Sequence, residues 1–128
     1  MDRPDDSTWG TNVTYDTSNV FAKILRGEIL APRIFEDDRC IVIRDISPRA
    51  PTHLLVIPKG QLINVVGTSD EDALLLGHLL VVAARVAKSE GIGDGFRLVV
   101  NNGESAGQSV FHLHVHVMGG RPLSWPPG

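Results

Sequence analysis

The 128 residues suffice for one domain with its own core, and 42% hydrophobic against 21% charged residues is an ordinary globular balance. A net charge of -3 excludes the sequence-independent grip on nucleic acid that a basic surface gives, although one nucleotide phosphate needs only a local site. The single cysteine, Cys40, excludes an internal disulfide, and no apolar run reaches membrane-spanning length.

The chain opens with Asp2, Asp5, Asp6 and Asp16 against Arg3 alone. A secretory signal needs a basic start and an apolar stretch, and a mitochondrial presequence is rich in arginine and poor in acids. Residues 1–16 therefore read as a flexible leader ahead of a domain over 17–128, in the cytoplasm or, in a eukaryotic source, the nucleus. Thr17 or Ser18 caps a short helix with Val20, Phe21, Ile24 and Leu25 on one side and Gly27 as its stop. Ile34-Phe35 and the run Cys40 to Ile43 flank Glu36-Asp37-Asp38-Arg39 as a hairpin. Pro48 and Pro51 break the chain before a strand from His53 to Ile57, which Pro58 ends.

The clearest helix spans about 70–90. Thr68 and Ser69 are its candidate caps, the acids at 70–72 suit the positive helix start, and Gly91 suits the stop. From Leu74 to Val86 it is apolar nearly all round, which predicts deep packing. Phe96 to Val100 reads as a strand, followed by a Gly-rich loop from Asn101 to Gly107 and a last strand from Val110 to Met118. One long helix on a mostly antiparallel sheet makes an α+β domain. Cys40, within an apolar strand, is expected to be buried and inert, and His78, inside the long helix, to have no catalytic part.

The last strand carries the chemistry. Alternation places His112, His114 and His116 on one face, about 6–7 Å apart, with Phe111, Leu113, Val115 and Val117 anchoring the other. Three readings stand at this point. The rings could be solvated strand residues. They could converge on zinc, with His53 as a further ligand. They could also serve nucleophilic catalysis at phosphorus, because a neutral imidazole is a good nucleophile near pH 7. That third reading needs donors for phosphoryl oxygens, and His116, Gln108, Ser109 and Asn101 are candidates. Gly103 and Gly107 would let backbone come close to a small ligand.

The segment His112-Leu113-His114-Val115-His116-Val117-Met118 resembles the signature of the histidine-triad (HIT) family. Further runs are similar to its branch of nucleotide-binding purine nucleoside phosphoramidases. These are residues 35–40, Asp45-Ile46-Ser47-Pro48, Ala50-Pro51-Thr52-His53, Val56-Ile57-Pro58-Lys59, Gly107-Gln108-Ser109-Val110 and Trp125-Pro126-Pro127-Gly128, so the likeness covers about 18–128. The resemblance implies a five-stranded, mostly antiparallel sheet with one long and one short helix, continued across a homodimer. It implies hydrolysis of purine nucleoside 5′-phosphoramidates, such as adenosine 5′-phosphoramidate or AMP-lysine, through a covalent nucleotidyl-histidine.

In that scheme His114 is the nucleophile, His116 contacts phosphate oxygens, His112 orients His114 from behind, and His53 supports their hydrogen bonds. Ser109 assists departure of the amine, and Asn101 contacts the phosphate or the leaving group. Asp45 binds ribose hydroxyls, and Ile46 and Phe21 line the base pocket. The tail, residues 119–128, brings Trp125 toward the partner's site. No metal or other cofactor, no nucleic acid and no membrane is implied. Asp45 as a simple turn former and Ser109 as an ordinary strand-entry residue are the plain alternatives. Among functions, cleavage of dinucleoside polyphosphates and non-catalytic nucleotide binding or scaffolding are the competitors.

Overall fold

Where the chain alternates β-branched and other apolar residues it forms strands, and a computed structural model describing residues 14–128 shows how they assemble. The expected leader at 1–16 lies largely outside the described residues; of its last three, Tyr15 is half-buried against His112. Helix α1 spans Val20–Leu25, and its cap is Asn19, whose side chain accepts from the Ala22 N–H, rather than the expected Thr17 or Ser18. Ser18 is engaged instead with Asp16. Gly27 follows with φ 80°, a turn out of the helix that glycine makes without strain.

Strands β1 (Phe35–Glu36), β2 (Cys40–Arg44), β3 (Thr52–Pro58), β4 (Phe96–Val99) and β5 (Val115–Gly119) form one antiparallel sheet in the order β1-β2-β3-β5-β4. The hairpin turn is fixed by Asp37, whose carboxylate accepts the Arg39 and Cys40 N–H groups. Helix α2 (Ala73–Ser89) follows a 3-10 turn at Asp70–Asp72, and Ser69 caps this entry in a reciprocal box with Asp72.

Period-two alternation divides the sheet's side chains between two cores. Cys40, Val42, Leu54, Val56, Val115 and Val117 face α2, meeting Leu79, Val82, Ala83 and Val86. Ile41, Ile43, Leu55 and Ile57 face the other way, toward Phe21 and Ile24 of α1. The expectation that α2 is packed all round is corrected. Among the described residues one side is covered, and Leu74, Leu80 and Val81 are 81%, 48% and 57% exposed.

A second correction concerns the last strand, expected from Val110. The ladder starts only at Val115, so His112 and His114 precede it and do not share a flat strand face with His116. Their segment bends, with the Leu113 N–H donating to the Leu62 carbonyl at 2.7 Å. The reason is the His112 ring, which bonds the Pro58 carbonyl and the Tyr15 hydroxyl inside the protein and so leaves the cavity that His114 and His116 line.

Candidate active site

On the α1 side of the sheet lies a cavity of about 430 Å³ that brings together His114, His116, His53, Ser109 and Asp45. Phe21, Ile24, Ile43 and Leu55 give it apolar walls. Strand β3 supplies His53 and β5 supplies His116, and the register places them on neighbouring strands, with His53 opposite Met118 and Leu55 opposite His116. Asp45 follows β2, and its N–H donates to the His53 carbonyl at 3.0 Å.

Hydrogen bonds fix the protonation of every ring. The Arg49 N–H donates to His53 Nδ1 at 2.9 Å, so His53 carries its proton on Nε2. That Nε2–H donates to His116 Nδ1 at 2.9 Å, which leaves the proton of His116 on Nε2. His114 donates Nδ1–H to the His112 carbonyl at 2.7 Å, so its Nε2 holds a bare lone pair. His112 donates Nε2–H to the Pro58 carbonyl at 2.7 Å and accepts at Nδ1 from the Tyr15 hydroxyl. The outcome is a nucleophilic nitrogen on His114 beside a ring, 5.0 Å away between centroids, that is a fixed donor.

Electrostatics keep these rings neutral. Burial lowers the pKa of His114 below the usual histidine value, against the raising effects of the His112 carbonyl and Asp45. His112 and His53 are lowered, again chiefly by burial. His116 is pushed down to about 4, by burial first and then by His114 and His53. Phe21 packs edge-on against His114, centroids 4.9 Å apart, and limits its swing.

The remaining expected residues are dispersed. Ile46 lies on the cavity rim, 98% exposed. Asp45 does form the turn of the plainer reading, accepting the Ser47 N–H with Oδ1, while Oδ2 lies 3.4 Å from His53 Nε2. Gln108 is buried and occupied by protein: Oε1 accepts from Asn64 and the Gly103 N–H, and Nε2 donates to the Ile63 and Val110 carbonyls. Its place is under the Gly-rich loop rather than in the cavity. Asn101 is half-buried beside Gly107, outside the cavity lining, and Trp125 is 80% exposed on the tail, also outside it. Cys40 is buried, its thiol pushed up to about 12 chiefly by burial, in keeping with an inert residue. His78 pairs with Asp37 at 2.7 Å.

Two residues that the sequence reading passed over touch the triad network. Arg49 acts through its backbone, which no side-chain pattern signals. Tyr15 belongs to the acidic leader, where nothing in the local pattern marks it.

Among the described residues, two groups of donor atoms, Asp45-His53-His116 and Asp37-Cys40-His78, each lie within 4.8 Å of one another, the spacing a metal would require. In the first, the two imidazole nitrogens are 2.9 Å apart, whereas two nitrogens on tetrahedral zinc stand about 3.4 Å apart. The pair is set as a hydrogen bond, and a metal would have to part it.

Residues 26–123 match the family described as HIT domain. The chain is 55% identical over 109 residues to an uncharacterized HIT-like protein of Synechocystis, covering 85% of this chain and 96% of that one. Among solved structures it is similar to a HIT family hydrolase from Legionella pneumophila, with TM-score 0.84 and 45% identity. That likeness covers 87% of this chain and all of that one. A HIT family hydrolase from Clostridium thermocellum gives TM-score 0.81 and 42% identity, covering 84% and 94%.

Proposed function

The chain belongs to the HIT domain family, and on that premise we propose that it is a purine nucleoside phosphoramidase with His114 as nucleophile. The observation that carries the reading is the bare Nε2 of His114, held by its Nδ1–H on the His112 carbonyl and facing a cavity with a fixed donor beside it.

In the proposed reaction His114 Nε2 attacks the α-phosphorus of a nucleoside 5′-phosphoramidate. An N–P bond forms to His114, and the bond to the amine breaks, the leaving nitrogen keeping its electron pair. It takes a proton through Ser109, which lines the cavity. The His116 Nε2–H stabilises charge on the phosphoryl oxygens, where most of the catalysis of such transfers resides. As His114 becomes cationic, its Nδ1–H bond to the His112 carbonyl strengthens. Water then attacks phosphorus and the His114–P bond breaks, giving the nucleoside monophosphate. The proton shed by water replaces the one the amine carried off. Asp45 Oδ2 would accept from ribose hydroxyls, and the apolar wall at Phe21, Ile24 and Ile43 would hold the base.

A homodimer is part of this reading, supported by β4 standing at the end of the sheet and by the exposed apolar residues Leu74, Leu80 and Val81 of α2. The test is turnover of a fluorogenic adenosine phosphoramidate. His114→Ala is expected to abolish it, a loss of at least about 10³-fold, while AMP binding is largely kept. Brief exposure of the wild-type protein should add one nucleoside monophosphate to the peptide containing His114. Turnover surviving in His114→Ala would remove His114 as nucleophile, and faster cleavage of a dinucleoside polyphosphate would shift the substrate class.

A further inference from the structure

We propose that Tyr15 is a positioning residue of the histidine triad: its hydroxyl pins the His112 ring, and through it the carbonyl against which the nucleophile His114 is set. The inference rests on the reading of His114 as nucleophile, and it assigns to the segment ahead of the HIT domain match, which begins at residue 26, a part in the site.

The argument starts from the carbonyl of Pro58. A carbonyl only accepts, so His112 must present Nε2–H to it, and Nδ1 is left with a bare lone pair. His112 is completely buried, where an unpartnered ring nitrogen is expensive. The Tyr15 hydroxyl, 2.5 Å away, is the donor that fills it, with the two rings edge-to-face at 5.6 Å between centroids.

The position matters because residues 112–114 lie outside the β5 ladder. One backbone bond, Leu113 N–H to the Leu62 carbonyl, and the two ring bonds of His112 take the place of ladder pairing. The carbonyl of this same His112 receives the Nδ1–H of His114. A displacement of His112, ring and backbone together, therefore moves the carbonyl that sets the nucleophile.

A second contact from the same segment acts in the same sense. Phe21 packs edge-on against both His112 and His114, at 6.2 and 4.9 Å between centroids. Between Tyr15 and Phe21 the backbone is held by a turn in which the Asp16 carbonyl accepts from both the N–H and the side-chain amide of Asn19. The segment thus clamps the triad at two points, Tyr15 on His112 and Phe21 on His114.

The titratable groups facing the His112 ring are Tyr15 from this segment and His114 from its own; Arg26, at the end of α1, is the charged group near the Tyr15 hydroxyl. A donor to bare Nδ1 favours the neutral ring, so losing it makes His112 easier to protonate.

Tyr15 is the chain's one tyrosine, which makes the test specific. In the full chain, Tyr15→Phe is expected to lower kcat for an adenosine phosphoramidate about tenfold or more, with KM and AMP affinity within about threefold. The acid limb of the pH–rate profile should move to higher pH. By NMR of labelled histidine, without substrate, the His112 titration midpoint should rise by about half a unit or more. Should Tyr15→Phe fail to fold, biosynthetic 3-fluorotyrosine labels this site alone and makes a more acidic, stronger donor. The His112 Nδ1 resonance must then move from its wild-type position.

Unchanged kcat, acid limb and His112 resonances in Tyr15→Phe would overturn the proposal. So would a fall in kcat that follows lost thermal stability while the acid limb and the His112 resonances stay put, or a His112 resonance indifferent to fluorination. Absence of turnover in the wild-type protein strikes the reading of His114 instead, whereas sound wild-type turnover with unaltered Tyr15→Phe kinetics strikes Tyr15.

Discussion

At the scale of single residues, the proton order His53 to His116 depends on one backbone N–H, that of Arg49. Because that group can only donate, it forces the proton of His53 onto Nε2, and the His116 donor follows. A ring at 53 that cannot relay this order should disturb turnover more than binding. His53→Ala is expected to lower kcat roughly 10–100-fold with a smaller change in KM, read by steady-state kinetics. The pH dependence has a definite sign. His53, His112, His114 and His116 all have lowered folded values, His116 down to about 4. The active, neutral rings therefore persist below the ordinary histidine range, and the acid limb of kcat/KM should fall below pH 6.5. Stability carries the same sign: between about 6.5 and 4 the unfolded chain binds more protons than the folded one, so stability falls as pH falls through that window. Denaturant unfolding at pH 7 and pH 5 checks it; equal stability at both would contradict it. That His114 and His116 stand together was legible in the sequence from the histidine-triad signature, although strand pairing does not reach His114. Tyr15 was not, because a side chain that reaches across 97 positions of sequence leaves no local trace.

At the scale of elements, the sequence specified helices and strands well where an apolar run is bounded by turn or capping residues, as in β2, β3 and α2. It misplaced the start of β5 because alternation of apolar residues from Phe111 continues past the point where pairing ends. Residues 103–110 are held by backbone turns and by the side chain of Gln108, whose amide makes four hydrogen bonds to the surrounding loops. In the sequence Gln108 reads equally well as a ligand donor, and only burial separates the two roles. Gln108→Ala should strand the Gly103 N–H and the amide of buried Asn64, costing roughly 2–4 kcal/mol of stability. It should also lower kcat, because Ser109 follows directly. Chemical denaturation with a loss under about 0.5 kcal/mol would show that the loop is held otherwise.

At the scale of the whole molecule, one chain leaves two liabilities, an exposed apolar helix side and a sheet edge. The row Leu74, Gly77, Val81 recurs at helical spacing on the bare side of α2, and Gly77 has open space where a Cβ would stand. Strand β4 ends the sheet, its outer backbone groups unpaired within the sheet. A second copy related by a two-fold axis would cover both at once, pairing β4 with β4 and α2 with α2. The tail is placed to cross such a boundary, since Arg97 of β4 donates to the Ser124 carbonyl and holds the tail near that edge. Sedimentation at micromolar concentration should therefore give about twice 13.9 kDa, and Val81→Asp, which sets a charge on the apolar face, should give a monomer. If the tail acts on the partner's cavity, Trp125→Ala should alter KM in the dimer and leave the Val81→Asp monomer unaffected. An equal effect in both would place Trp125 on its own chain's site, and a monomeric wild-type protein would leave the apolar side of α2 to some other partner.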